Sequence, residues 1–249
     1  MPDAGASSPA ASRAGFTLVE LLVTISIIAL LLAILLPALA AARDRARSMM
    51  CRSHLRQIAM AFEIYGEEHQ GVWPRPYRAA GGGVSQDSSW HRDEIFPVIY
   101  PTARPRPHWR ATFDESIFRC PNWAHSAVSL PAGPFTPGDE EYDRRSYGMN
   151  GMLPDAKDQA YVPHPWWRYK DRHQVKRPAR TLLLADSLTP WLAVVHVDSV
   201  PVLRLAARRH AGQVHVVMAD LSLRPMSPDD MPLTPDTEAL RVFWQGMDQ

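Results

Sequence analysis

Cysteine is scarce in this chain, with two residues among 249, Cys51 and Cys120. That excludes a disulfide-dense scaffold and leaves no zinc-finger spacing. Neither sign of charge is in surplus. The 27 Lys and Arg against 26 Asp and Glu give a net charge of +1, so the basic footprint of a nucleic-acid-binding protein is missing. No Gly-rich phosphate loop and no nucleophile–base pair is present, and no catalysis is expected. Proline and tryptophan are plentiful by contrast, at 23 and 8. Pro-rich irregular segments with scattered Trp predict a loop-rich extracytoplasmic domain. The length allows one anchor and one domain of modest size.

The dominant feature is GFTLVELLVTISIIALLLAILLPALAAAR, from Gly15 to Arg43. One acid, Glu20, stands near its start, and about twenty charge-free residues follow. Such a run is long enough to span a bilayer core as a helix. A carboxylate inside it is costly in hydrocarbon and calls for a specific partner. A secretory signal peptide would be cut after its apolar stretch, next to small residues, and the Ala-rich Ala38–Ala42 offers such a site. The Phe-Thr-Leu-Val-Glu start and the length of the run argue against that reading.

Gly15-Phe16-Thr17-Leu18-Val19-Glu20 resembles the cleavage and methylation site of type IV prepilins and type II secretion pseudopilins. The resemblance implies a leader at 1–15, a cut after Gly15 by a prepilin peptidase, and methylation of the new N-terminal Phe16. It implies that Glu20 meets the N-terminal amine of a neighbouring subunit during assembly. Pairing two lone charges removes much of the cost of placing them in hydrocarbon. Arg43, Arg45, Arg47 and Arg52 follow the apolar run, and charge bias alone would put the N-terminus outside. The family instead requires a cytoplasmic leader. The expected organisation is a leader at 1–15, a transmembrane or filament-core helix at 16–42, and a periplasmic globular domain at 43–249. Pro37 predicts a bend near Ala33–Pro37.

Beyond the anchor, Cys51, Leu55, Ile58, Phe62 and Tyr65 recur at spacings of four and three and draw one apolar stripe on a continuing helix. Gly66, or the Gly71-Val72-Trp73-Pro74 segment, ends it. A helix of about fifty residues, apolar all round in its first half and amphipathic in its second, packed on a C-terminal antiparallel sheet, gives an α+β, pilin-like fold class. A coiled-coil seam is the alternative for the stripe. Residues 71–180 are poorly patterned, with a short helix expected in Trp90–Tyr100 and ended by Pro97. Strands are expected at Thr181–Ala185, Trp191–Val197, Gln213–Ala219 and Leu221–Arg224, with a hairpin turn at Asp220. A last helical turn is expected over Glu238–Trp244, capped by Thr234 or Asp236.

Arg209-His210-Ala211-Gly212 through Asp220 is similar to the signature of a prepilin-like family abundant in planctomycetes: a His, nine residues, then Asp-Gly. Cys51-Arg52-Ser53-His54-Leu55-Arg56-Gln57-Ile58, Phe118-Arg119-Cys120-Pro121, Ser146–Asn150 and Leu183–Asp186 also have counterparts there, in order. Leu221 stands where that family has Gly, which predicts a wider turn. His210 and Asp220 are expected each to anchor its own turn, His210 by a bond to nearby backbone. A ligand role is the alternative: a metal on His210, His215 and Asp220 with Asp186 or His196, or Ca2+ at Asp220. With the domain in an oxidising compartment, a Cys51–Cys120 disulfide is expected. The alternative is a small core Cys51 and a free thiol at Cys120.

The resemblance implies a subunit or minor component of a type II secretion or type IV pilus-like filament. It would work by assembly with other pilin-like subunits and an inner-membrane platform. The alternative is a tethered periplasmic module, with Trp166, Trp167 and Tyr169 forming a carbohydrate or protein site.

Overall fold

A computed structural model describes residues 17–80, 83–102, 116–122, 146–156, 169–187, 191–192, 206–232 and 238–247. Gly15, Phe16, Thr234, Asp236, Trp166, Trp167, His196 and the rest of the expected 191–197 strand lie outside the described residues. Two units are distinguished, Met1–Arg43 and Asp44–Gln249.

Helix α1 runs Leu18–Glu68, 51 residues, with Pro37 inside it. In the first unit its side chains stand exposed, among them Leu18, Leu30 and Ile34. At 1.5 Å per residue the charge-free part is long enough to cross a bilayer. In the second unit the helix turns amphipathic, and Cys51, Leu55, Ile58 and Phe62 are fully buried. Each such side chain contributes about 1.5–3 kcal/mol relative to exposure.

The stripe packs on one face of a five-stranded sheet of order β7-β4-β6-β8-β9. Its strands are β4 (Tyr147–Asn150), β6 (Leu182–Asp186), β7 (Trp191–Leu192), β8 (Val214–Met218) and β9 (Leu223–Met226). The α+β class with a long helix on a C-terminal sheet is therefore present. The sheet is antiparallel, with one parallel pairing at its edge, between β7 and β4. Tyr147, Met149, Leu183, Leu184 and Val217 join the α1 side. Leu182, Ala185, Val214, Val216 and Met218 join the other, which α3 (Glu238–Leu240) and the π turn Arg241–Gln245 cover with Leu240, Phe243 and Trp244. Asn150 ties the two sides by donating to the carbonyls of Leu182 and Trp244, each at 2.8 Å.

Alternation along β6 is broken by a register shift between Leu182 and Leu184. Leu183 and Leu184 both join the α1 side and Ala185 points away, while Asp186 reaches His215, which faces Ser48 of α1. On β8 the odd positions His215 and Val217 share that side.

The poorly patterned middle holds short strands. β1 (Val72–Trp73) pairs with β5 (Lys170–Asp171), and β2 (Tyr77–Ala80) with β3 (Gly83–Ser89). A π turn at His91–Ile95 leads into α2 (Phe96–Ile99). Pro97 sits in the first turn of α2, where its missing N–H costs no bond, so it starts this helix rather than ending it. The β8–β9 turn is wider than two residues, as expected from the missing Gly. Leu221 N–H reaches the Met218 carbonyl, Met218 N–H reaches the Ser222 carbonyl, and Leu221 itself takes φ 65°. That is a type I turn closed by a left-handed residue.

Gly71 ends the α1 turn at φ +84°, where an added Cβ would lie 1.9 Å from His173 Nε2. Gly71→Ala is expected to lower stability by about 1–2 kcal/mol through the left-handed backbone. The exposed His173 ring can swing aside at little cost, so His173→Ala relieves little and urea unfolding of the double variant should show no rescue.

Candidate functional site

Four elements converge beside the α1 stripe. Cys51, on α1, is joined by a disulfide to Cys120, with Cα atoms 5.1 Å apart. His54, one turn on, places Nδ1 3.1 Å from the Arg119 carbonyl and helps seat that segment on the helix. Burial lowers the His54 pKa, with the Arg119 carbonyl acting in the opposite sense. Next to the disulfide, His210 Nε2 lies 3.4 Å from Cys120 Sγ and 3.4 Å from Asp186 Oδ2.

Asp186, at the end of β6, is fully buried. Its Oδ2 accepts the His215 backbone N–H at 2.7 Å and lies 3.0 Å from His215 Nδ1. His215 Nε2 faces Ser48 Oγ of α1 at 3.4 Å. Arg209, also buried, directs Nη1 at the carbonyls of Ser146 and Ser187, each at 3.4 Å. Burial pushes its guanidinium below the usual range, opposed by the charges of Asp186 and Tyr147. His210 falls to about 4, because burial disfavours its cation more than Asp186 favours it; His215 and Arg209 add to the depression. Asp186, His210 and His215 form one group with metal-ligating atoms within 4.8 Å of one another, and Cys51, Cys120 and His210 form another.

The two signature residues are not brought together. His210 belongs to this buried cluster, and its side chain meets Cys120 and Asp186 rather than the expected backbone group; only its carbonyl anchors the turn, accepting from Gln213 N–H. Asp220 is exposed in the hairpin, where Oδ1 accepts from Ser222 N–H at 2.9 Å and from its hydroxyl at 2.6 Å. Of the ligand set weighed from the sequence, Asp186, His210 and His215 meet; Asp220 does not join them. The roles of Ser48 and Arg209 were not foreseen. The signal for Arg209 was an Arg directly before the signature His.

Glu20 makes a local arrangement. Thr17 N–H donates to Oε2 at 2.9 Å and Thr17 Oγ1 donates to it at 2.7 Å, while Glu20 N–H reaches Thr17 Oγ1 at 3.2 Å. This is a capping box that starts α1.

A second feature is a cavity of about 550 Å³ lined by Tyr65, His69, Arg75, Glu94, Val98 and Tyr169, among others. Arg75 binds Glu94 through its backbone N–H at 3.1 Å and Nε at 3.2 Å, and stacks 4.7 Å over the Tyr169 ring. Burial raises Glu94 to about 7, with Arg75 pulling the other way.

Residues 11–36 match the family model of the prokaryotic N-terminal methylation motif. A type IV wide pilus major component, PilA4, of Thermus thermophilus is 47% identical to this chain over 51 residues. The match covers 20% of this chain and 39% of that relative. No solved structure matches. The matched motif spans Glu20 and the start of α1 and ends before Cys51, so the buried cluster lies outside it.

Two buried groups give this protein opposing pH responses. Glu94 rises from 4.5 to about 7, so its contribution is full below pH 4.5 and lost as pH rises through 7. His210 drops from 6.5 to about 4, so its contribution is full above pH 6.5 and lost as pH falls through 4. Each shift corresponds to about 3 kcal/mol, and across pH 4.5–6.5 they nearly cancel. Glu94→Gln should steepen the loss of stability on acidification, and His210→Gln should tilt the profile the other way. Urea unfolding of the oxidised chain at several pH values, with equal slopes for both variants, would contradict this.

Proposed function

We propose that this chain is a membrane-anchored, pilin-like filament subunit of a type IV pilus or type II secretion type, acting by assembly and protein contacts without catalysis. The observation that carries this is the methylation motif, which runs into the exposed apolar half of α1. The reading has a leader at 1–15, an anchor at 16–42 and a periplasmic domain at 43–249. A prepilin peptidase would cut between Gly15 and Phe16 and methylate Phe16. Its partners would be other pilin-like subunits and an inner-membrane assembly platform.

Glu20 is the assembly residue in this reading. The capping box leaves its carboxylate exposed, so a neighbour's amine can reach it. A neighbour's ammonium brings a full opposite charge that the Thr17 hydroxyl lacks, so it can replace Thr17 without uncovering a bare carboxylate.

The test has two parts. Mass spectrometry of the membrane-extracted chain should find a mature N-terminus of N-methyl-Phe16. An intact leader, or a start near Ala42, contradicts it. Glu20→Ala should leave insertion and cutting intact and reduce incorporation into filaments at least ~10-fold, the equivalent of about 1.4 kcal/mol. Unchanged copurification with filament partners would favour the second reading, a tethered binding module. The cavity between Tyr65, Arg75, Glu94 and Tyr169 favours that module, since aromatic faces beside a few polar groups suit a small ligand.

A further inference from the structure

The disulfide and the buried His–Asp cluster touch, and together they carry more than a covalent staple. We propose that, when the disulfide is reduced, Cys51, Cys120 and His210 form a thiolate–imidazole site for a soft divalent cation such as Zn2+.

The ligand atoms are already nearly in place. In a tetrahedral zinc site with Zn–S of about 2.3 Å and Zn–N of about 2.0 Å, neighbouring S and N atoms lie about 3.5 Å apart. Cys120 Sγ and His210 Nε2 are 3.4 Å apart. The two sulfurs must separate, to about 3.8 Å, which rotation of two short side chains provides. Cys51 and Cys120 are fully buried, as is the Asp186 side chain, and the His210 side chain is 1% exposed. Asp186 Oδ1 and His210 Nδ1 are buried without a hydrogen-bond partner among the described residues, so the cluster has polar capacity that the oxidised protein leaves unused.

Charge decides between the two candidate ligand sets. With the disulfide closed, an ion on Asp186, His210 and His215 would bring two positive charges to a buried ligand set with one carboxylate. Such an imbalance among buried ligands is strongly disfavoured. With the disulfide open, two thiolates cancel the charge of the ion. The reduced form is thus the one that accepts a cation.

The steps balance. A dithiol reductant gives two electrons and two protons to the S–S bond and leaves as its own disulfide. The ion then displaces one proton from each thiol. A disulfide oxidant then takes two electrons from the thiolates and two protons from solvent, leaves as its dithiol, and the S–S bond forms again as the ion is released. The consequence is that one location holds the Phe118–Cys120 segment on α1 in either redox state, by a covalent bond or by a metal.

The test uses the full chain in detergent, reduced anaerobically by a phosphine that does not chelate metal, and titrated with Co2+. One equivalent should bind, with thiolate-to-cobalt charge-transfer absorption and the intense visible bands of a tetrahedral ion. Zn2+ should displace it and raise the Tm of the reduced chain. Oxidised chain should bind neither ion. His210→Gln should weaken Co2+ binding at least ~10-fold. Cobalt-shifted imidazole resonances in the unsubstituted chain test the same ligand should that variant fail to fold. Absence of charge-transfer absorption, equal binding by the oxidised chain, or absence of shifted imidazole resonances overturns the proposal.

Discussion

Asp186→Ala is expected to destabilise the domain by about 3–5 kcal/mol, the usual cost of removing one partner from a buried charged cluster. The carboxylate is fully buried and accepts the His215 backbone N–H at 2.7 Å. Without it that N–H is orphaned inside the sheet, and the buried Arg209 guanidinium loses the charge that opposes its burial. The urea midpoint should drop with little change in slope. Asp186→Asn keeps an acceptor for the N–H but not the charge, so its loss should fall between wild type and Ala. Arg209→Met placed on Asp186→Ala should recover part of the loss, because the buried cation that the carboxylate opposed is then gone. A single variant within about 1 kcal/mol of wild type would show that Asp186 is no keystone of this cluster.

Opening the Cys51–Cys120 bond in metal-free buffer is expected to cost about 4 kcal/mol. The bond closes a loop with a sequence separation of 69. The chain-entropy relation for a loop of that length gives about 4 kcal/mol, the denatured chain regaining the freedom that the crosslink removed. The native contacts survive: His54 still meets the Arg119 carbonyl, and Phe118 stays buried near Trp90. The loss should therefore appear mostly in the denatured state, and Cys51→Ala with Cys120→Ala should retain the native near-UV spectrum while the midpoint falls. Alkylation of both thiols in unreduced, unfolded protein would show that the bond does not form. Zn2+ added to the reduced chain should restore part of the stability, whereas the Ala pair, which lacks the sulfurs, should not respond.

Some features were readable because their signals are local. Cys51, Leu55, Ile58, Phe62 and Tyr65 repeat with the helix period, and all five are buried on α1. Leu182–Asp186 and Val214–Met218 are short apolar runs, and both are central strands. The middle of the chain was not readable in the same way. β1 and β5 are two residues each, too short for periodicity to register. Lys170 is buried there because Asp155 sits 2.8 Å from its Nζ, a pairing fifteen residues away that no window detects. Arg75, Glu94 and Tyr169 meet at the cavity from three separate segments.

The sequence by itself determined the membrane-spanning length of the apolar run, the lone carboxylate near its start, the amphipathic second half of α1 and the α+β class. Each depends on residues within a few turns of one another, where spacing and side-chain chemistry act without long-range contacts. Only the tertiary structure decided where the chemistry gathers. Under strict alternation along β6, Asp186 would share a face with Leu182 and point away from α1. The register shift after Leu182 turns it back, and His215 meets it there because β8 pairs with β6 in that register. His210 arrives from the turn before β8, and Cys120 is drawn in by its bond to α1. A one-residue change of strand register exchanges every side chain between the two faces, so the cluster is a property of the pairing and not of any single segment.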